Sequence, residues 1–350
     1  MGGDGVTTVE WLERLTALRA ASGHEEVVFG ELRRLLAPTF DRSETDAAGN
    51  LLLWRDGPPG SPLLLFTAHA DQVALWVREH LPGGFLRFAA PAIDPACLPA
   101  LGVEVHGRQG VVGMLPPHLR QPGAEVKEGE RDLYIDFGPE AATDLPMVGE
   151  PVYFATEPRL LGEDRFCAAG LDDRASVAAI ALALEELQGE DLPLTVLAAF
   201  TAQEETGRGG AAYLCRQVQP DAAVVLDVTF GQQPEVDQAD LPLLGRGGAV
   251  GIGPNVPPGL HRWLEAVAAA GDIPCQREPL PGDSGTDGWR LQLAGLGVPT
   301  ALLSIPLTSM HSPQEVVSVR DVSACGHLLA DLARSPLPSS GTGKGATPWS

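Results

Sequence analysis

Five short segments of this sequence put histidine or carboxylate groups directly after an apolar run or at the start of a helical pattern. They are Thr67-Ala-His69-Ala-Asp71, Gly170-Leu-Asp172-Asp173-Arg174, Thr201-Ala-Gln-Glu204-Glu205-Thr-Gly207, Leu226-Asp227-Val-Thr229 and Met310-His311-Ser-Pro313. Two histidines with several Asp and Glu, and no cysteine among them, make a nitrogen-and-oxygen donor set that suits divalent ions. Singly, each segment has an ordinary explanation. A histidine after a strand is usually a satisfied structural residue, and Asp-Asp before a helix is usually an N-cap. Jointly they are harder to dismiss. Glu204 and Glu205 close the strongly apolar run at 196–200, and adjacent carboxylates at the end of a buried segment need a cation to offset their desolvation.

The elements that must position these groups follow from periodicity. Thr7-Thr-Val-Glu10 is a capping box opening a helix whose apolar face carries Trp11, Leu15 and Leu18. A second helix runs from about His24, and short strands follow at 50–54 and 63–66 around the turn-rich Asp56-Gly-Pro-Pro-Gly60. Residues 72–165 lack helical periodicity and carry short alternating stretches such as Gly102-Val-Glu-Val-His106, which predicts a small all-β insert, PDZ-like or a barrel. From 166 onward helices and apolar strands alternate. A helix from Asp172 presents Val177, Ile180, Ala181, Leu184 and Leu187 on one face; a buried strand lies at 194–200, a helix at 211–218 and a strand at 223–226. A helix at 262–270, a strand at 300–304 and a helix at 318–333 complete the pattern. This alternation predicts an α/β fold: a three-layer α/β/α domain with a largely parallel sheet, residues 1–71 and 166–335, interrupted by the insert at 72–165. Open α/β sheets gather ligands at strand C-termini, and the donor segments fall there. The Ser/Gly/Pro-rich stretch 336–350 reads as a disordered tail.

Composition narrows the partners. With 24 Lys and Arg against 46 Asp and Glu, the formal charge is −22 over 350 residues. Nucleic acid and anionic lipid both require clustered basic residues, which this chain lacks. No apolar run reaches the ~18 residues of a membrane span. The first residues lack the basic-then-apolar pattern of a signal peptide, and Val6 stands where a myristoylation motif has Ser or Thr. Five cysteines, odd in number and without a Cys-x-x-Cys, fit reduced thiols in a cytoplasm, with Cys215 and Cys325 packed inside helices.

The donor segments resemble those of the M42 metallo-aminopeptidases, the glutamyl/leucyl aminopeptidase group that includes the tetrahedral TET peptidases. The resemblance runs in order through Ala21-Ser-Gly-His-Glu-Glu26, Gly49-Asn50, His69-x-Asp71, Leu171-Asp-Asp-Arg174, Gln203-Glu-Glu205, Asp227-Val-Thr229, Gly285-Thr-Asp287 and His311-Ser-Pro-x-Glu315. In the insert, Gly110-Val-Val-Gly-Met-Leu-Pro-Pro-His118 is similar to the family's β-domain signature. The resemblance implies two divalent ions, zinc or cobalt with manganese also suited. His69 and Asp227 would hold one, Glu205 and His311 the other, and Asp172 would bridge them; one carboxylate can span ions ~3.5–4 Å apart. It makes Glu204 the general base for a metal-bound water that attacks the scissile carbonyl. Asp71 would orient His69, and Asp287 would lie near the substrate pocket. The implied activity is release of the N-terminal residue from short peptides by a homo-oligomer, between a dimer and a dodecamer, assembled through the β insert.

One departure stands out. The family commonly has Arg-Tyr shortly before its last ligand histidine, whereas Ile305-Pro-Leu-Thr-Ser-Met-His311 places Thr308 and Ser309 there. That leaves a related two-metal exopeptidase or N-deacylase, or an inactive metal-binding relative, as alternatives. A glucanase reading would leave the histidines without a role, since that chemistry needs two carboxylates flanking a sugar.

Overall fold

The computed structural model of the chain describes residues 6–119, 133–139, 145–236, 241–293 and 295–338. All but the first three residues of the expected 336–350 tail lie outside them. The chain opens with α1 (Thr8–Thr16) and α2 (Glu26–Leu35), then β1 (Arg42–Thr45), β2 (Leu51–Arg55) and β3 (Leu63–His69). Next come β4 (Leu75–Leu81), β5 (Phe85–Ala89), β6 (Gly102–Val105), β7 (Arg108–Met114), β8 (Leu133–Asp136), β9 (Pro151–Phe154), β10 (Arg159–Leu161) and β11 (Arg165–Ala168). The remainder is α3 (Leu171–Glu186), β12 (Thr195–Thr201), α4 (Gly209–Gln217), β13 (Ala222–Phe230), β14 (Gly248–Ile252), α5 (Pro258–Ala270), β15 (Cys275–Pro279), α6 (Asp287–Leu293), β16 (Thr300–Thr308), β17 (Glu315–Ser318) and α7 (Val319–Arg334). The capping box forms as expected: Thr7 N–H donates to Glu10 Oε2 at 2.7 Å and Glu10 N–H to Thr7 Oγ1 at 3.3 Å.

Eleven strands make one sheet, ordered β1-β2-β12-β3-β13-β16-β17-β11-β10, with β14 joined to β16 and β15 to β14. Parallel pairing is confined to β12-β3-β13-β16 and to β14-β15; the other six pairings are antiparallel. The expected largely parallel sheet is therefore parallel at its centre and in the β14-β15 pair, and antiparallel elsewhere. Periodicity reports which faces of a strand are buried, not its neighbour's direction, and the short flanking strands β1, β10, β11 and β17 carry weak patterns.

Successive residues of the central strands join different hydrophobic clusters, as the period-two alternation of a strand requires. Leu64, Phe66, Val196, Ala198, Val224 and Leu226 pack with residues of α1, α2, α3, α5 and α7. Leu65, Leu197, Ala199, Ala223 and Val225 pack with residues of α4 and α6. Helix α3 is buried on all sides over residues 171–181; Gly326 on α7 sits so close to it that a Cβ would meet the Ala179 carbonyl at 3.0 Å.

Strands β4 to β9 close a six-stranded barrel in the order β4-β5-β8-β7-β6-β9. Its interior holds Leu75, Val77, Leu86, Phe88, Val103, Val105, Ile135, Val152 and Phe154. The β6–β7 hairpin turns through His106 and Gly107, at φ 50° and 74°, the left-handed pair that matches strand twist. The barrel strands end at Phe154, and β10 already belongs to the large sheet. Alternation cannot say which of two sheets a three-residue strand will join. Among the described residues no helix is long and apolar enough to cross a membrane. All five cysteines are free thiols, with Cys215 and Cys325 buried on α4 and α7.

Candidate metal centre

The parallel strands bring their C-terminal ends together. His69 on β3 is in register with Thr201 on β12, and Asp227 on β13 with Ser304 on β16. The loop after β12 supplies Glu204 and Glu205, and the loop between β16 and β17 supplies His311. Asp172 comes from the start of α3, where it and Asp173 leave helical geometry (φ −79°, ψ 100° and φ −120°, ψ 34°) and are joined by a cis peptide bond. Gln203, Arg208, Ser309 and His311, all in or beside these loops, have φ between 56° and 61°. Non-glycine residues hold such conformations only where surrounding contacts over-determine them.

The Asp172 carboxylate is shared between the two histidines. Its Oδ1 lies 3.0 Å from His69 Nε2 and its Oδ2 lies 3.2 Å from His311 Nε2. Each histidine also faces a carboxylate of its own: Asp227 Oδ1 at 3.9 Å from His69 Nε2, and Glu205 Oε2 at 3.4 Å from His311 Nε2. The other ring nitrogens meet backbone carbonyls. His69 Nδ1 is 3.2 Å from the Asp71 oxygen, and His311 Nδ1 is 3.1 Å from the oxygen of Ala92, in the barrel segment. A carbonyl partner assigns the neutral ring's proton to Nδ1 and leaves the Nε2 lone pair pointing into the cluster.

Two buried carboxylates brace this arrangement from behind. Asp71 accepts the Ser22 hydroxyl at 2.6 Å and the backbone N–H groups of Glu204 and Glu205 at 3.0 and 3.1 Å. Thus one side chain positions both loop glutamates, and His69 Nδ1 is oriented by the Asp71 backbone oxygen at 3.2 Å and by Asp71 Oδ1 at 3.4 Å. Glu315, fully buried, accepts the backbone N–H of Asp172 at 3.1 Å and of His311 at 2.8 Å. In the sequence Glu315 stands in the His311-Ser-Pro-x-Glu motif, with nothing local to mark this task.

The electrostatics are those of too many carboxylates in too small a space. Burial pushes Glu205 and Asp227 well above the usual carboxylate range, with neighbouring Asp172 and Asp173 adding to it. Burial works the same way on Asp172 but loses to hydrogen bonds from His311 and His69, which hold it below its ordinary value. The bond to Asp172 raises His311 to about 9. Glu205 Oε1 is buried without a hydrogen bond, as are both oxygens of Asp173. Orphaned buried acceptors facing raised histidines fit a missing positive charge. Ligand atoms of His69, Asp172 and Glu205, and of His69, Asp173 and Asp227, lie within 4.8 Å of one another. The donor set suits a hard or borderline divalent ion. Asp173, whose place before a helix would ordinarily mark an N-cap, is thus part of the cluster.

The cluster opens on a cavity of about 690 Å³ lined by His69, Asp172, Glu204, Glu205, Asp227 and His311, and farther out by Thr229, Glu278, Leu280, Leu302 and Ser304. Glu204 Oε1 accepts from Arg208 Nε at 2.7 Å; burial raises its proton affinity while His69 and Arg208 oppose that. Asp287 lies beside the cavity rather than in its lining. It is 2% exposed, accepts the Thr201 hydroxyl beneath the cavity and is absent from the lining, whereas its neighbours Ser284, Gly285 and Thr286 form part of the wall. Placing it at the start of α6 turns its side chain inward, which the glycine-rich spacing could not reveal. Thr308 and Ser309 do not line the cavity either: Thr308 pairs with Val316 in the sheet, and Ser309 N–H donates to Gln233.

A mixed α/β body whose central strands deliver histidines and carboxylates to one cavity, with a small closed barrel inserted, defines a protein of the metal-dependent hydrolase type. A family model described as M42 glutamyl aminopeptidase matches residues 49–328. The chain belongs to that family, and with it to the hydrolases that act as exopeptidases. It is 32% identical over 329 residues to the lysyl aminopeptidase of Pyrococcus furiosus, covering 90% of this chain and 94% of that one. The structure of an aminopeptidase from the archaeon Desulfurococcus kamchatkensis matches with a TM-score of 0.86 at 30% identity, covering 95% of both chains. A Pyrococcus horikoshii TET1 peptidase, which assembles into a tetrahedron or a large octahedral shell, matches with a TM-score of 0.80 at 28% identity over 93% of this chain and 99% of that one.

Proposed function

We propose that this protein removes the N-terminal residue from short peptides, using two divalent ions, zinc, cobalt or manganese, with Glu204 as general base. One observation carries the reading: the two oxygens of Asp172 face two different histidines, each with a further carboxylate beside it. In this reading His69 and Asp227 hold one ion, Glu205 and His311 the other, and Asp172 both. When bound, the ions supply Lewis acidity that polarises the scissile carbonyl. Glu204 takes a proton from the attacking water and passes it to the nitrogen of the leaving amine as the C–N bond breaks. Arg208 occupies Oε1 of Glu204, which leaves the second oxygen to receive that proton. Asp71 keeps Glu204 and Glu205 in register through their backbone N–H groups. The excess of carboxylates favours a substrate's free α-amino group over a blocked terminus.

Loading the ion-free protein at pH 7 should release at least one proton, because His311 holds one up to about pH 9 and must shed it to offer its lone pair. The release falls away as pH rises through that value. Calorimetry in two buffers of different ionisation enthalpy counts the protons; none released at pH 7 would contradict the ligand role of His311.

The wider organisation follows the same reading. In this reading the helices flanking the sheet are the outer layers of an α/β/α body, and the barrel, whose strands run from Leu75 to Phe154, is a PDZ-like assembly insert. Val111, Met114, Leu115, Leu119, Met147 and Val148 are exposed on the insert, an apolar group of the kind that marks an interface. A single species of 36.8 kDa in light scattering at micromolar concentration would refute assembly. Five free thiols support a reducing, cytoplasmic setting.

The test of function is hydrolysis of aminoacyl-p-nitroanilides and their N-acetylated forms by chelator-stripped protein reconstituted with Zn, Co or Mn. Cleavage that returns with metal and disappears on N-acetylation is expected. Cleavage of the acetylated forms, or none with two ions bound per chain, would favour a deacylase or an inactive relative.

A further inference from the structure

The names of the family and its members leave the preferred terminal residue open, since glutamyl and lysyl differ in sign. The cavity does not. Beyond the cluster it continues along β13 and β16 to Glu278 on β15. Thr229 is two residues past Asp227 on the same face of β13, ~7 Å farther along the strand, and Ser304 is the register partner of Asp227 on β16. Both hydroxyls donate to Glu278: Thr229 to Oε1, and Ser304 to Oε2 at 2.5 Å. The carboxylate is therefore anchored to β16 at the level of the ligand Asp227 and to β13 two residues beyond it.

Among the described residues no cation accompanies Glu278; its environment is burial and those two hydroxyls. The cavity's cations are committed elsewhere. Arg208 is paired with Glu204 and Asp283, and Arg290 donates to the Gly207 carbonyl on the exposed side. Leu280 and Leu302 supply apolar wall beside Glu278. Apolar walls ending in an uncompensated carboxylate match a side chain with a methylene stem and a cationic head, and burying such a carboxylate is costly until a cation arrives.

We infer that Glu278 is the specificity-determining residue of this site and selects substrates whose N-terminal residue is lysine or arginine. The inference rests on the aminopeptidase reading above. Metal-loaded protein should cleave lysyl- and arginyl-p-nitroanilide with a kcat/KM about tenfold or more above that of the norleucyl substrate, which has the stem without the charge, and should disfavour the glutamyl substrate further. In Glu278→Gln, isosteric with the native residue, the lysyl-to-norleucyl ratio should fall about 10- to 100-fold. The ratio is internal to each preparation, so a general loss of activity does not mimic the effect. Wild-type protein favouring the norleucyl or glutamyl substrate, or a ratio unchanged by Glu278→Gln, would overturn the inference. Absence of any hydrolysis would instead be a failure of the aminopeptidase reading. The pocket is then read by calorimetry with L-lysinamide and L-norleucinamide on the same metal-loaded protein: tighter binding of lysinamide that Glu278→Gln removes sustains the inference, and equal or no binding overturns it.

Discussion

Glu204→Gln is expected to lower kcat by about 10³-fold with metal content unchanged, the middle of the range that a positioned general base contributes. The substitution keeps the shape of the side chain, and an amide oxygen still accepts from Arg208, the present partner of Oε1 at 2.7 Å. What is lost is the second carboxylate oxygen, replaced by an NH2 group that cannot take a proton. The main-chain bond from Glu204 to Asp71 survives, because it uses the backbone N–H. The loss should therefore fall on kcat rather than on KM or on ion content, which elemental analysis reads. A variant keeping more than about a tenth of wild-type kcat would sink the assignment.

Asp172→Ala should be more severe, abolishing measurable turnover and weakening both ions together by at least about 100-fold, beyond the 10–100-fold typical of residues that only support ligands. The reason is geometric: Oδ1 faces His69 and Oδ2 faces His311, so truncation strips a donor from both halves at once. Sequential titration of chelator-stripped variant with Zn, followed by equilibrium dialysis, separates the two affinities. One ion retained at wild-type affinity would show that Asp172 serves a single site.

The contrast between Asp172 and Asp287 indicates what kind of residue can be read ahead of the fold. Asp172, His69, Asp227 and Glu205 each follow a long apolar run or open a helix, and a strand's end is where its side chains leave the core. Their types and positions together restrict the explanations. Asp287 sits in a glycine-rich segment with no periodicity, so nothing local says whether it faces cavity or core; it turned inward to Thr201. Glu278 and Arg208 had no signal at all. Glu278 lies on a short strand, and its partners Thr229 and Ser304 are 49 and 26 residues away.

The same division holds for the fold. By itself the sequence determined that hydrophobic strands alternate with helices around a β-rich interruption, because burial periodicity is a local property of a chain. It determined the donor chemistry for the same reason: side-chain type needs no partner to be known. The tertiary structure decided how strands pair, so that only the central β12-β3-β13-β16 run and the β14-β15 pair are parallel, and that β4 to β9 close into a barrel. It decided that one carboxylate lies between two histidines 242 residues apart in sequence, His69 and His311, and that Glu278 joins Thr229 and Ser304 in the wall of their cavity with no cation beside it among the described residues. Those are distances between segments remote along the chain, which packing alone sets.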